Sequence, residues 1–372
     1  MTTMDSAPDG NLRIALVVPP YFDIPPRAYG GVEAVVADLA NALVEHGHQV
    51  TMIGAGTNGT KADFLAVWPE AVAGRLGEAF PEIAHTSLAR QAVAELHATD
   101  GLDVVHDHTG GGPLNAPFFA TLGLATVVTV HGPVNGDLGL LYKSLRDHIQ
   151  LVAISHRQRE LAPGLPWIGT VHNALSIHDW PYQERKEDYA LFLGRFHQDK
   201  GAHLALDAAH AAGIPLVLAG KCAEPVEKEY FDREIQPRMT SSDHFYGMAN
   251  AEEKRILLAA AKCLLFPIQW EEPFGMVLIE AMACGTPVIA LRGGAVSEIV
   301  GHGETGLICD HPHELAEAIR QVHQINPAAC RRRVTLRFNA DRLASGYENA
   351  YRAAMAQTLA KKPGLSALAM QQ

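Results

Sequence analysis

The chain has 372 residues, 48% of them hydrophobic and 19% charged, with a formal net charge of −11. That length suffices for two domains with full cores, and the acidity argues against a nucleic-acid partner and against general attraction to anionic membranes. Five cysteines without a Cys-x-x-Cys, a polar N-terminus unlike a signal peptide, and no apolar run of 18 residues point to a cytoplasmic, reducing setting without a membrane span.

Leu12 to Val18 is a continuous apolar run, the pattern of a strand buried in a parallel sheet. A loop follows from Pro19 and ends in Tyr29-Gly30-Gly31. Val32, Val35, Val36, Leu39 and Leu43 then predict a helix that Gly47 stops. Strands are expected at Gln49–Ile53, Val104–His106, Thr126–Val130 and Leu151–Ile154, with helices at Leu88–Thr99 and Ala116–Leu122. Ser155-x-x-Gln158 has the form of a capping box. Ser176 to Asp188 carries no apolar period and reads as an interdomain linker. The alternation then restarts. Strands are expected at Ala190–Leu193, Leu216–Ala219, His244–Tyr246, Leu264–Phe266 and Val288–Leu291, with a helix at Ala202–Ala212 and a last one at Asp341–Leu359. A tail from Lys361 is expected to fray. Such alternation predicts doubly wound α/β domains whose ligands sit beyond the strand C-termini.

The chemistry concentrates in Glu271-Glu-Pro-Phe-Gly-Met-Val-Leu-Ile-Glu-Ala-Met-Ala-Cys-Gly-Thr-Pro287. Pro273 and Gly275 break structure, Met276–Cys284 is compatible with a helix, and Gly285 suits its end. A helix start presents unpaired N–H groups and a positive dipole end, which suit a phosphate. Glu272 and Glu280 bracket that start, so one carboxylate is available to each sugar of a nucleotide sugar. The amides of Phe274, Gly275, Met276 and Val277 lie between them. Gly194-Arg195-Phe-His-Gln-Asp-Lys200-Gly201 follows a predicted strand and offers two cations to a leaving diphosphate. Gly30 and Gly31 bring glycine backbone to another helix start. His131 ends the strand Thr126–Val130, and Arg27 is a candidate partner for an anionic acceptor.

Two patterns lead elsewhere. Gly54-Ala-Gly56-Thr-Asn-Gly59 fits G-x-G-x-x-G, but it follows the second strand and opens no apolar helix, so a dinucleotide is not expected. His106-Asp107-His108 offers two histidines on one face and Asp107 on the other, too few for a metal; His106 is expected to support the cleft. No two aspartates lie two apart anywhere, so no Asp-x-Asp can hold a metal on a diphosphate.

Glu272-x7-Glu280 with its Phe-Gly and Gly-Thr-Pro-Val context, together with Gly-Arg-x4-Lys-Gly, resembles retaining glycosyltransferases of family 4 over nearly the whole chain. The resemblance implies the GT-B fold: two doubly wound Rossmann-like domains facing a central cleft. The expected division is an acceptor-side domain at 1–175, a linker at 176–188, a nucleotide-sugar domain at 189–340 and a helix at 341–372 crossing back to the first domain. It also implies metal-independent transfer of a hexosyl group from a nucleotide-diphospho-sugar, UDP favoured over GDP or ADP, to a small-molecule, lipid or saccharide hydroxyl. Arg195 and Lys200 would hold the diphosphate, with the Gly30-Gly31 loop approaching the donor phosphate, Glu272 and His131 would hold the transferred sugar, and Glu280 the ribose. The family is thought to proceed by front-face attack without a protein base. No cofactor is expected, and the acceptor and oligomeric state stay open. The family often has Pro-Asn-Gly-Val-Asp near the linker; here His172-Asn173-Ala-Leu-Ser-Ile stands instead, and Glu271 doubles the first glutamate. A sugar-nucleotide epimerase, a phosphorylase or a silent binding protein on the same fold are the alternatives.

Overall fold

The computed structural model describes residues 10–360; the polar N-terminal residues before them and the tail from Lys361 lie outside the described residues. Two all-parallel sheets carry the chain. The first comprises β1 (Arg13–Val17), β2 (Gln49–Ala55), β3 (Asp63–Trp68), β4 (Val104–Asp107), β5 (Ala125–Val130), β6 (Gln150–Ala153) and β7 (Trp167–Thr170), in spatial order β3-β2-β1-β4-β5-β6-β7. The second comprises β8 (Ala190–Leu193), β9 (Leu216–Ala219), β10 (His244–Gly247), β11 (Cys263–Phe266), β12 (Val288–Leu291) and β13 (Gly306–Cys309), in order β10-β9-β8-β11-β12-β13. With two such domains the fold is GT-B.

In each sheet the strand order reverses once. Leu16 on β1 pairs with Met52 on one side and His106 on the other, and β8 separates β9 from β11 in the same way. Loops leaving the C-termini at such a switch point diverge to opposite faces and open a crevice. Residues of the loops after β1 and β5 line the same interdomain space as residues of the loops after β8 and β11.

Three strands escape the sequence reading: β3, β7 and β13. All are sheet edges. An edge strand buries less surface, and β3 and β7 have no fully buried residue. The helix expected at Leu88–Thr99 begins earlier, at Ala79. The stretch 176–188 is packed rather than loose. Trp180 is buried within it, and Lys186 Nζ donates to Ala259 O, Cys284 O and Thr286 Oγ1 at 2.8, 3.0 and 2.8 Å.

The last helix, Ala340–Ala360, belongs to the first domain's core. Leu343, Tyr347 and Tyr351 pack with Ile14, Val36 and Leu39. His106, expected at the cleft, lies in this core instead. It bonds Tyr351 Oη and Thr129 Oγ1, both at 2.7 Å, and Tyr347 Oη also meets Thr129 Oγ1 at 2.7 Å. Fully buried between two hydroxyls, it supports the crossing helix.

Candidate active site

The glutamate-bracketed helix runs from Met276 to Ala283 with Gly275 at its N-cap, at φ 88°. A side chain there would be strained, and its Cβ would stand 3.1 Å from both Phe266 Cζ and Leu278 Cδ1. No acidic residue occupies the first turn. Its positive end is therefore uncompensated by its own sequence, as an anion site requires. Lys200 ends a tight turn after β8, and Gly201 at φ 73° lets that turn lie directly on Pro267 O. The turn is tied to the loop after β11 by Gln269 N donating to Asp199 O at 2.8 Å.

Two adjoining chambers open between the domains, of about 340 and 580 Å³. Gly30, Gly31, Arg195, Met276 and Val277 line both. Glu280 lines the smaller; Lys200, Glu272, Phe274, Gly275 and His131 line the larger. Every residue assigned from sequence to the donor or to the transferred sugar thus reaches one chamber or both.

Each carboxylate has a lysine and a tryptophan beside it. Lys200 Nζ pairs with Glu272 Oε2, which also accepts from Trp270 Nε1 at 3.0 Å; Lys200 lies 4.9 Å from the Trp270 ring centre. Lys254 Nζ donates to Glu280 Oε1 at 2.7 Å and lies 5.2 Å from the Trp180 ring centre. Arg195 is backed by the buried Glu227, 3.7 Å away, whose other oxygen accepts the amides of Ala223 and Glu224 at 2.8 and 2.9 Å. His131 Nε2 meets His108 Nδ1 at 2.9 Å, and burial lowers its pKa to about 4. It is a neutral imidazole at physiological pH, fit to exchange hydrogen bonds and not to carry charge.

The structure separates the two adjacent glutamates. Glu271 turns away to Arg157, taking Nε and Nη2 at 2.9 and 2.8 Å, and accepts from Gly294 N at 3.0 Å. Arg27, the candidate for an anionic acceptor, is exposed, lies 3.6 Å from Asp23 and lines neither chamber. Lys254, Trp180, Trp270, Glu33, Glu82 and Asn173 were missed. Only Glu33 left a sequence signal: a carboxylate just after Gly30-Gly31, where an anion-binding helix should avoid one.

Among the described residues, His156, His172 and Glu298 form a trio with ligating atoms within 4.8 Å of one another. Glu298 is already engaged by His172 Nε2, His156 N and Arg157 N at 2.8, 2.9 and 2.8 Å, and the trio lines neither chamber.

The fold and these motifs define a glycosyltransferase of the GT-B class. The family model described as Glycosyl transferases group 1 matches residues 178–335, and that described as Glycosyltransferase Family 4 matches 29–160. The chain belongs to family 4 of these enzymes. It is similar to the O-antigen chain mannosyltransferase C of Escherichia coli, 25% identical and covering 91% of this chain and 98% of that one. A solved glycosyltransferase of avilamycin A biosynthesis is 29% identical, with a TM-score of 0.72 over 93% of this chain and 98% of that one. An Anabaena protein solved with UDP and glucose shares the fold at a TM-score of 0.70 and 16% identity, over 92% of this chain and all (100%) of that one.

Proposed function

We propose that the chain is a retaining, metal-independent hexosyltransferase that takes a nucleotide-diphospho-sugar. The observation that carries this reading is the pair of lysine-bound carboxylates, Glu272 and Glu280, in separate chambers on either side of one helix start and Arg195. The ribose hydroxyls donate to Glu280 in the smaller chamber. The diphosphate lies at the shared wall, against Arg195, Lys200 and the amides at Gly275–Val277. The hexosyl group enters the larger chamber beside Glu272 and His131. As the anomeric bond breaks, charge grows on the diphosphate, and cations fixed on that face stabilise it. The leaving phosphate oxygen takes the proton of the incoming hydroxyl, so attack comes from the face of departure. The fixed cations, and a sequence without Asp-x-Asp, are the grounds for dispensing with a metal.

The neighbour solved with UDP and glucose makes UDP-glucose the first donor to test, followed by other UDP-, GDP- and ADP-sugars. Thermal shift identifies the donor: at about 100 times Kd a ligand adds about 2.7 kcal/mol. Proton NMR of the product then reads the anomeric configuration, with and without saturating chelator. An α-linked product from an α-linked donor, formed equally in chelator, is expected. A β-linked product overturns retention, and activity lost to chelator and restored by magnesium or manganese overturns metal independence. Donor turnover that needs no acceptor, or that needs inorganic phosphate, identifies the epimerase or phosphorylase alternative instead.

A further inference from the structure

We propose that Glu33 and Glu82 make the larger chamber an acceptor site for uncharged polyhydroxylated molecules, and that they exclude phosphorylated ones. This rests on the donor reading above, which assigns the opposite wall of that chamber to the diphosphate and hexosyl group.

The first domain's wall of this chamber contains no lysine or arginine; its charged residues are Glu33 and Glu82, and its aromatic ones are Tyr21, Phe22 and Tyr29. His131 contributes a neutral ring. Glu33 is 3% exposed, and its carboxylate has no hydrogen-bond partner among the described residues beyond its own backbone N–H. It reaches under the glycine loop, with Oε2 3.1 Å from where a Cβ on Gly30 would stand. Glu272 and Glu280 each have a lysine; Glu33 has none. A buried carboxylate without a cation or a set of donors is costly to keep unless a ligand supplies the donors.

Three further observations agree. Asn173 is buried, lines the same chamber, and its side-chain oxygen lacks a partner. Glu82 accepts the Tyr21 hydroxyl and, at 3.3 Å, Gly111 N, which leaves acceptor capacity on its carboxylate. Glu33 also sits in the first turn of the helix Gly31–Glu45, where it offsets the helix's positive end. That helix start is therefore a poor phosphate site, unlike the one at Met276. Hydroxyls donating to carboxylates make short, charge-assisted bonds, and tyrosine faces suit the apolar face of a sugar ring. Above pH 7, with Glu33 ionised, a phosphate placed here would meet two like charges, while the cations across the chamber are engaged by Glu227 and Glu272 and, in this reading, by the donor.

The test uses the full chain saturated with UDP at pH 8, where Glu33 is ionised. Binding of methyl glucoside is compared with glucose phosphate, and of myo-inositol with inositol phosphate, by saturation-transfer NMR. The uncharged member of each pair should bind more tightly by about tenfold or more. Glu33→Gln and, independently, Glu82→Gln should bring the two members toward parity, with UDP affinity within about twofold of the parent because Glu280's chamber is untouched. The proposal is overturned if a phosphorylated member binds as tightly as its partner, if no member of either pair binds, or if both variants keep the full preference. A parent chain that fails to bind UDP or any other nucleoside diphosphate defeats the donor reading instead.

Discussion

Lys200 and Lys254 hold Glu272 and Glu280 by one oxygen each, and each lysine also lies over a tryptophan ring. The second oxygen of each carboxylate has no protein partner among the described residues, so a sugar hydroxyl can be gripped without breaking the pair. Glu272→Gln weakens that grip while leaving Lys200 and Arg195 for the phosphates. Nucleotide affinity should hold and transfer should fall by about 10²-fold, the scale expected when a reacting sugar is misplaced by about 1 Å. Calorimetry with the nucleoside diphosphate and single-turnover rates check this; unimpaired transfer would remove Glu272 from the site. Glu271 is not a substitute, because Arg157 and Gly294 already engage it. Glu33 carries a second prediction. Burial, together with the lesser repulsion of Glu82, raises its pKa from 4.5 to about 7. The folded state therefore prefers it protonated, and ionising it above pH 7 costs stability that the unfolded chain does not lose. Glu33→Gln should be the more stable protein at pH 8, by up to about 3 kcal/mol. The gain should shrink through the window between 7 and 4.5 and vanish below it. Thermal midpoints at both ends of that range decide the matter; a gain that did not depend on pH would refute it.

The helix Met276–Ala283 points its N-terminus at the chambers, and its far end is held by two cations that no local pattern announces. Arg331 Nη1 donates to Ala283 O and Trp180 O, both at 2.6 Å, and Lys186 donates to Cys284 O at 3.0 Å. Cations at a C-terminus complement the dipole whose positive end receives the ligand. The buried runs of β1, β5, β8, β11 and β12, the Gly-Arg-x4-Lys-Gly turn and the glutamate-bracketed helix were legible because each is a local pattern. Lys254 with Glu280, Arg157 with Glu271, and Asn173 in the same chamber as Glu33 were not, because each joins segments brought together only by the fold. The crossing helix was expected from the family; its anchors were not. Glu348 accepts from His46 Nδ1 at 2.6 Å and His48 Nε2 at 3.1 Å, and His46 Nε2 meets Asp341 at 2.9 Å. The bond to Glu348 chiefly, then that to Asp341, raises the His46 pKa above 6.5 against some opposition from burial. The folded state favours the protonated ring, so this contribution is complete below 6.5 and fades as pH rises through the raised value. His46→Gln should lower stability at pH 6, by about 1 kcal/mol or less, and hardly at pH 9, as read from thermal midpoints. An equal loss at both pH values would show that packing, not charge, anchors the helix.

Between the two domains, contacts lie at the edge of the chambers. Glu298 of the second domain caps the start of the helix His156–Leu161 in the first, at 2.9 and 2.8 Å from the amides of His156 and Arg157, and Arg157 then reaches back to Glu271. Arg157 and Glu271 are both exposed, so the pair is screened and contributes little to global stability. It adjoins Glu272, however, so under the proposed function it is expected to bear on how the domains meet around the sugar. Arg157→Ala should leave the thermal midpoint nearly unchanged and reduce transfer severalfold, with a larger effect on kcat than on nucleotide affinity. Small-angle scattering with and without UDP should show weaker closure; wild-type kcat and closure would assign the pair to the surface alone.

Tyr347 and Tyr351, donated to the first domain by the end of the chain, also set an order in time. Synthesis runs from the N-terminus, and β7 ends at Thr170 whereas the crossing helix begins at Ala340. At 5–20 residues per second that interval lasts roughly ten to thirty seconds. Throughout it the first sheet is complete as a sheet, yet His106 and Thr129 await their tyrosine hydroxyls and Ile14, Val36 and Leu39 await part of their cover. The domain made first is thus finished last, after the domain that follows it has left the ribosome. A message truncated before Ala340 should yield a first domain that depends on chaperones and aggregates without them, while the same residues in the full chain stay soluble.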